Sequence, residues 1–480
     1  KLEEGWFERL LGQIFMDNPH NCQVLLLPSA TLANEKRDAE TERLHAVKKS
    51  WGVEDISGLQ KRQAALIAWQ SAADTPEALA ALPVLQLSDI AVQPERIPLE
   101  ERTLAGRCLL RHDISTGRIS YVNLYFDVSD FSQEMLPDVS FLCRLLGNMD
   151  TEIHGNLQLQ RLCRLNIGRI NFSVEAYGGV NAPENCRTFL CVSFSAMDIN
   201  LESAANLIAE IITGSKFDDQ CMIHELLRQA IVWMEQNIID SGSGYAMTRI
   251  AAGHSAQGVV RECTGGFTYF QRLKTLEKNF QRYAAEFSRE LAALSKEIFA
   301  KNRLTISITG TNDNAEAILE NAVICVLSVS RQKETVCSIR PWSKRREGIV
   351  IPADVSFTAM GGNLLQYGGA YNGSLQVLSR IVSLSYLWNV IRVQGGAYGT
   401  GLSLSNSGNA CFYSYRDPTA ARSLNAYRQT EGFIKQFCGT KPDLTRFIVG
   451  TVAEMDPLML PGRQGKASDR WYLTGIEYAD

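Results

Sequence analysis

The sequence predicts an α+β protein: two bodies of similar element order, each of antiparallel sheet packed with helices, preceded by a helical hairpin. Three observations predict it. First, an order of strands, helix, two strands and then helices runs through residues 101–330, and returns in shorter form after the charged stretch RQKETVCSIRPWSKRREG. Second, a Glu/Lys/Arg-rich segment shows helical periodicity on both sides of Trp51-Gly52. Third, 480 residues exceed what one core organises, so about two to four domains are expected.

Composition narrows the class. With 45% hydrophobic and 21% charged residues the chain reads as globular. A net charge of −4 offers no basic field for nucleic acid. No apolar run approaches the roughly 20 residues that span a bilayer, so no membrane partner is expected. The 12 cysteines are scattered without a C-x-x-C, which argues against a zinc ribbon or a thioredoxin-type site. They read as reduced, mostly buried thiols of a cytosol-like compartment. The opening KLEEGWFERLLGQIF lacks a signal pattern and an initiator Met, so the chain reads as cut from a longer one.

Taken in order, Lys1–Phe15 has Trp6, Leu10, Leu11 and Ile14 at helical spacing. Cys22–Leu27 (CQVLLL) reads as a buried strand ended by Pro28. Leu32–Lys49 and Val53–Ala72 suit two antiparallel helices joined by a short turn, with a solvated charged surface. A spacer with Pro76, Pro83, Pro94 and Pro98 follows. Arg107–Ile114 and Arg118–Val128 alternate around Ser115-Thr-Gly and read as a hairpin. Helices are expected at Leu136–Leu146 and Leu157–Leu165, strands at Ile167–Tyr177 and Arg187–Met197. Helices then run at Leu201–Thr213, Asp218–Asp240, Ala246–Thr264 and Phe267–Ala300, before a strand Leu304–Gly310 and a helix Ala315–Leu327. The sheet should be covered on one face. The second body reads as strands near Ile349–Met360, a helix from Ser374, strands Gly399–Ser405 and Asn409–Tyr415, and helices Pro418–Phe437 and Asp443–Ala453.

The chemistry is sparse. None of the six histidines forms H-E-x-x-H or H-x-x-E-H: His224-Glu225 is followed by Arg228 in the fifth position. That pair reads as helix surface, and Glu454 with Asp456 as a solvated helix end. No G-x-S-x-G elbow and no phosphate-binding glycine loop appears. Gly361-Gly362 and Gly368-Gly369 read as turns. What stands out is Arg392-Val-Gln-Gly-Gly-Ala-Tyr-Gly399, which sets a cation at a helix end and a phenol on the next strand, with Gly395 and Gly396 between. Two readings stay open from the residues: Arg392 caps its helix while Tyr398 packs in the sheet, or both donate hydrogen bonds to a substrate carbonyl.

That motif resembles the arginine/tyrosine motif in the C-terminal half of pitrilysin/insulinase-superfamily zinc peptidases. Asn18-Pro-His with VLLLPS, the charged hairpin, Leu82-Pro-Val-Leu-Gln-Leu-Ser-Asp-Ile and FYSYRDP resemble its presequence-protease and falcilysin branch, and the resemblance covers essentially the whole chain. It implies a metalloendopeptidase of four α+β domains in two halves that close around an unfolded peptide. Zinc, its ligands and the general base would lie in the N-terminal half, absent here, so no catalytic or metal residue is expected in this chain. Arg392 and Tyr398 would bind substrate, with Gly395 and Gly396 shaping the loop. The implied domains are 1–28, the tail of a preceding domain; 29–100, hairpin and linker; 101–330, a degenerate peptidase-like domain; and 331–480, the substrate-binding domain, apparently truncated. The helix 136–146 stands where a zinc helix would, without His or Glu. Alone, the fragment should be inactive, and apolar surface left by the missing half would favour self-association. The implied compartment is a bacterial cytoplasm, or else a mitochondrial matrix or other organelle. The alternative is a non-catalytic scaffold subunit of the same fold.

Overall fold

The strand that organises the larger sheet is LTISIT, residues 304–309, whose Leu304, Ile306 and Ile308 alternate with Ser307 and Thr309. Such a strand needs an apolar cover on one face and a polar one on the other. The structure, a computed structural model, describes residues 1–72, 74–329, 337–343 and 346–476. It divides into two compact units, Lys1–Val84 and Leu85–Asp480.

The first unit is helical. It contains α1 (Trp6–Leu11), which continues into a π-helical turn, then α2 (Leu32–Ser50), α3 (Val53–Ser71) and α4 (Pro76–Ala80). The two charged arms are helices within a residue of their expected bounds. The Gly52 N–H starts α3 by donating to the Asp55 carboxylate at 2.8 Å. Neither arm has an apolar core of its own: α2 buries no residue, and Leu66, Ile67 and Trp69 of α3 are exposed. The expected strand Cys22–Leu27 does not form, and Leu26 is 91% exposed. A strand needs a partner for its backbone N–H and C=O groups, and no other strand lies among the described residues of this unit.

The second unit holds both sheets. The larger has six strands: β1 (Glu100–Leu104), β2 (Arg107–His112), β3 (Ile119–Asp127), β4 (Arg169–Gly179), β5 (Ala182–Met197) and β6 (Leu304–Thr309), in the order β1-β2-β6-β3-β5-β4. All pairs are antiparallel except β2–β6. The expected hairpin of β2 with β3 is therefore wrong: β6 lies between them, with Leu110 beside Ser307 and Asn123 beside Ser307 on its other edge. The loop between them must cross two strand spacings, about 10 Å, which a tight turn cannot do. The true hairpin is β1–β2, closed by Ala105-Gly106, both at positive φ. β1 escaped notice because EERTL is charged and lies on the sheet edge.

One face of this sheet packs on α5 (Leu136–Leu145), α6 (Asn156–Asn166), α7 (Leu201–Gly214), α8 (Gln220–Ala252), α9 (Ala256–Gly265), α10 (Phe267–Ile298) and α11 (Ala315–Ala322). Val122, Leu124 and Phe126 point into that core. The helix expected across residues 246–264 is broken instead at Gly253-His254-Ser255, where Ser255 Oγ accepts from the Gly258 N–H at 3.1 Å and caps α9. A kink at Ser241 inside α8 falls where a break was expected.

The smaller sheet has the order β7-β9-β8, built of β7 (Ser356–Asn363), β8 (Gly399–Leu404) and β9 (Asn409–Asp417). Gly361 and Gly362 lie within β7, not in a turn. α12 (Ser374–Ile381) and α13 (Ala420–Gly439) cover it, and Phe412 stacks on Tyr427 at 5.3 Å. α14 (Thr445–Met455) follows, and its Glu454, exposed at the helix end as expected, accepts from Arg380 at 2.9 Å. The long α8 packs on β7, and Asn409 donates to Ser255 at 2.8 Å, which ties the two sheets into one unit.

A last helix was not foreseen. α15 (Pro461–Thr474) lies on the second face of the six-stranded sheet, so the sheet is covered on both faces. A Cβ on Gly465 would overlap Thr309 Oγ1, so only glycine permits this approach. The fold is mixed helix and largely antiparallel sheet, as expected. The expected boundary at 330/331 and the chain end at 477–480 lie outside the described residues.

Candidate substrate-binding site

The Arg392–Gly399 segment joins a helix end to an edge strand. α12 passes without interruption into a π-helical stretch, Val382–Val393. Such wider turns cluster at functional sites. Val382, Leu387 and Ile391 enter the core of the second body together with Ala397. This fixes the opposite side, where Trp388 and Arg392 stand one turn apart. The Arg392 guanidinium lies 3.8 Å above the Trp388 ring and 5.9 Å from the Tyr398 ring. Tyr398 is 69% exposed, and its ring meets Tyr415 edge-on at 5.8 Å.

The loop between them is set by its glycines. A Cβ on Gly395 would overlap the Ile391 carbonyl oxygen, and Gly396 has φ 81°. The chain thereby turns back on its helix: Gly396 N–H donates to the Arg392 carbonyl at 2.9 Å and Ala397 N–H to that of Ile391 at 3.1 Å. Arg422 donates to the Gln394 carbonyl at 3.0 Å. The helix end is thus capped by the returning backbone and by Arg422. Among the described residues the Arg392 guanidinium has no hydrogen bond or ion pair; its contacts are the two rings. The turn therefore presents one free fork of N–H donors and one exposed phenol. Such a pair can grip a carbonyl oxygen or a carboxylate. Trp388, Tyr415 and Arg422 were missed by sequence reasoning, although Trp388 sits at the i−4 position from Arg392.

Three other polar groups that the sequence brings to notice have structural partners. His224 stacks on Phe280 at 4.5 Å, and His154 bonds Glu210 at 3.0 Å. α5 turns Leu136, Val139, Phe141 and Leu142 into the core, and its Asp138 is held by Arg272 at 2.9 Å. Among the described residues no group of three or more His, Cys, Asp or Glu is placed to hold a metal. The side chains here do not fit a zinc ion.

The fold is one shared with solved peptidase-like domains. A protease from Helicobacter pylori has the same fold, with a TM-score of 0.56 at 10% identity over 81% of this chain and 91% of that one. A peptidase M16 inactive domain from Pseudomonas fluorescens gives 0.50 at 12% identity, covering 80% and 89%. Residues 26–276 match the peptidase M16C associated family and residues 346–480 the PreP C-terminal domain. The chain belongs to this family, as the C-terminal half of an M16 presequence-protease-like protein. It is 29% identical to protein HypA of Clostridium perfringens over 100% of its own length and 49% of that protein's. It is also 29% identical to presequence protease 1, chloroplastic/mitochondrial, of Arabidopsis thaliana, over 98% and 44%. The chain therefore spans about half the length of these curated relatives. No helix among the described residues is long and apolar enough to cross a membrane.

Proposed function

We propose that this chain is the non-zinc-binding half of a zinc-dependent oligopeptidase, and that it completes the chamber around an unfolded peptide. Arg392 and Tyr398 hold the substrate backbone beside the reacting bond, on a loop shaped by Gly395 and Gly396. The observation that carries this reading is the unpaired Arg392 guanidinium, stacked on Trp388 and aimed past an exposed Tyr398, at a helix end already capped by other groups. The presequence proteases among the relatives support a peptidase. The metal would come from the N-terminal half, and the cytoplasm of a bacterium is the compartment that suits twelve unpaired cysteines.

The test is turnover of a quenched peptide by the two halves together. Arg392→Ala should lower kcat/KM by about 10²–10³, as expected when a donor to a developing oxyanion is removed. Tyr398→Phe, which keeps the ring and removes the hydroxyl, should lower it by a smaller factor. An unchanged rate in Arg392→Ala overturns the role given to Arg392 and leaves it a residue of the helix end; no turnover by the two halves together would leave a non-catalytic scaffold of the same fold. Metal analysis of the purified 480-residue chain should find no stoichiometric zinc and peptide assays no cleavage; either one present would contradict the assignment.

A further inference from the structure

Outside the Arg392 turn, the described residues line an open pocket of about 360 Å³ between β4, α9 and α15. Its charged lining is lopsided: Arg261, Arg463, Lys466 and Arg470 against one carboxylate, Glu175. Lys466 and Glu175 satisfy one another at 2.8 Å. The other three cations have no hydrogen bond or ion pair from their side chains among the described residues. The neighbouring Asp469 is fully buried and is bound by His112, Asn123 and Tyr125, so its carboxylate faces the sheet and not the three arginines.

The helix that carries three of the four cations is fixed in place. Positions 463, 466 and 470 recur at helical spacing on one side of α15. The same helix is set against the sheet by Gly465 and Asp469, so its cationic side cannot rotate away. Arg261 approaches from α9. Desolvation, and then the like charge of Arg470, hold the Arg261 pKa below the usual guanidinium range, although its outer atoms reach solvent. Four cations gathered against a single carboxylate repel one another in the empty site, and an entering anion relieves that cost. Guanidinium forks match planar or tetrahedral oxyanions through paired N–H donors.

We infer that this pocket is a binding site for a small multivalent oxyanion, a polycarboxylate or a phosphate-bearing molecule, held by Arg261, Arg463 and Arg470. The site is built from elements other than the Arg392 turn, and it stands whether or not that turn binds peptide. The test is calorimetric titration of the 480-residue chain at low ionic strength with pyrophosphate and with citrate. Saturable one-to-one binding of either supports the site, and the tighter of the two tells phosphate from carboxylate chemistry. The double variant Arg261→Gln/Arg470→Gln should weaken that binding at least about tenfold, because each charge-assisted contact contributes more than a factor of ten. Lys274→Gln, on α10, should leave it unchanged. Arg463→Gln alone, an exposed side chain on α15, gives the same reading should the double variant unfold. No saturable binding of either anion, or equal affinity in the variants and the parent, overturns the inference.

Discussion

Asp469 shows how much one buried residue can organise. Its carboxylate accepts from the Tyr125 hydroxyl at 2.9 Å and the Asn123 amide at 3.2 Å, and it lies 2.8 Å from His112 Nε2. His112 Nδ1 faces the Pro98 carbonyl at 2.8 Å, which can only accept, so Nδ1 carries a proton. One further proton lies between Nε2 and the carboxylate. The network thus ties the approach to β1, the strands β2 and β3, and α15 at one point. Breaking a buried pair from one side leaves the partner uncompensated, so Asp469→Ala should cost about 3–5 kcal/mol in urea unfolding. A double-mutant cycle with His112→Ala checks the cause: the two changes should be far from additive, and additive losses would mean that the two groups are not coupled. The thiols give a second prediction. Burial pushes Cys191, Cys263 and Cys411 up to about 12, so they should resist alkylation in the native chain while exposed Cys22, Cys221, Cys325 and Cys438 react. Mass mapping after a brief pulse of iodoacetamide reads this directly.

At the scale of elements, local periodicity and long-range pairing parted company. The amphipathic helices were legible because apolar residues at 3.6 spacing announce a buried side without reference to the rest of the chain. α10, with Leu273, Leu276, Phe280, Phe287 and Leu291 buried along one side, is the clearest case. The β2–β3 hairpin misled for the converse reason. Its strands alternate correctly, but the strand that separates them is nearly 200 residues away, and no local pattern encodes that insertion. α15 was illegible because the side it turns to the sheet is Gly465, Ser468 and Asp469, small or polar, with Leu473 its single large apolar residue. The Arg/Tyr turn was legible as a motif, whereas its supporting shelf was not, since a tryptophan on a helix usually reads as core. That shelf can be tested. Trp388→Ala should cost the Arg392 grip about 0.5–1 kcal/mol, a two- to fivefold fall in kcat/KM of the assembled halves, with little change in thermal midpoint. Gly465→Val should instead lower the midpoint sharply, because overpacking against Thr309 costs about 1–3 kcal/mol.

Across the whole molecule, stability is concentrated in one unit. The large core joins β3, β5 and β6 to seven helices and continues through α8 into the smaller sheet. The helices α2 and α3 have nothing comparable: their backbones are hydrogen-bonded, but their side chains lie in solvent, Trp69 at 76% exposure included. A helix of 19 residues without a buried face is near the limit of what propensity alone sustains in water. Local opening there exposes little apolar surface that was not already exposed, so its free energy should be small, whereas opening β6 requires global unfolding. Hydrogen exchange on the isolated 480-residue chain should therefore be fast across α2 and α3 and slowest in β3, β5 and β6. Adding the N-terminal half of the intact protein provides the decisive comparison. If α2 and α3 lie between the two halves, their amides should become protected on mixing while those of β6 stay as they were. Protection already equal to that of β6 in the isolated chain would show that the charged helices are stabilised by contacts of another kind, and would remove the basis for placing them between the halves.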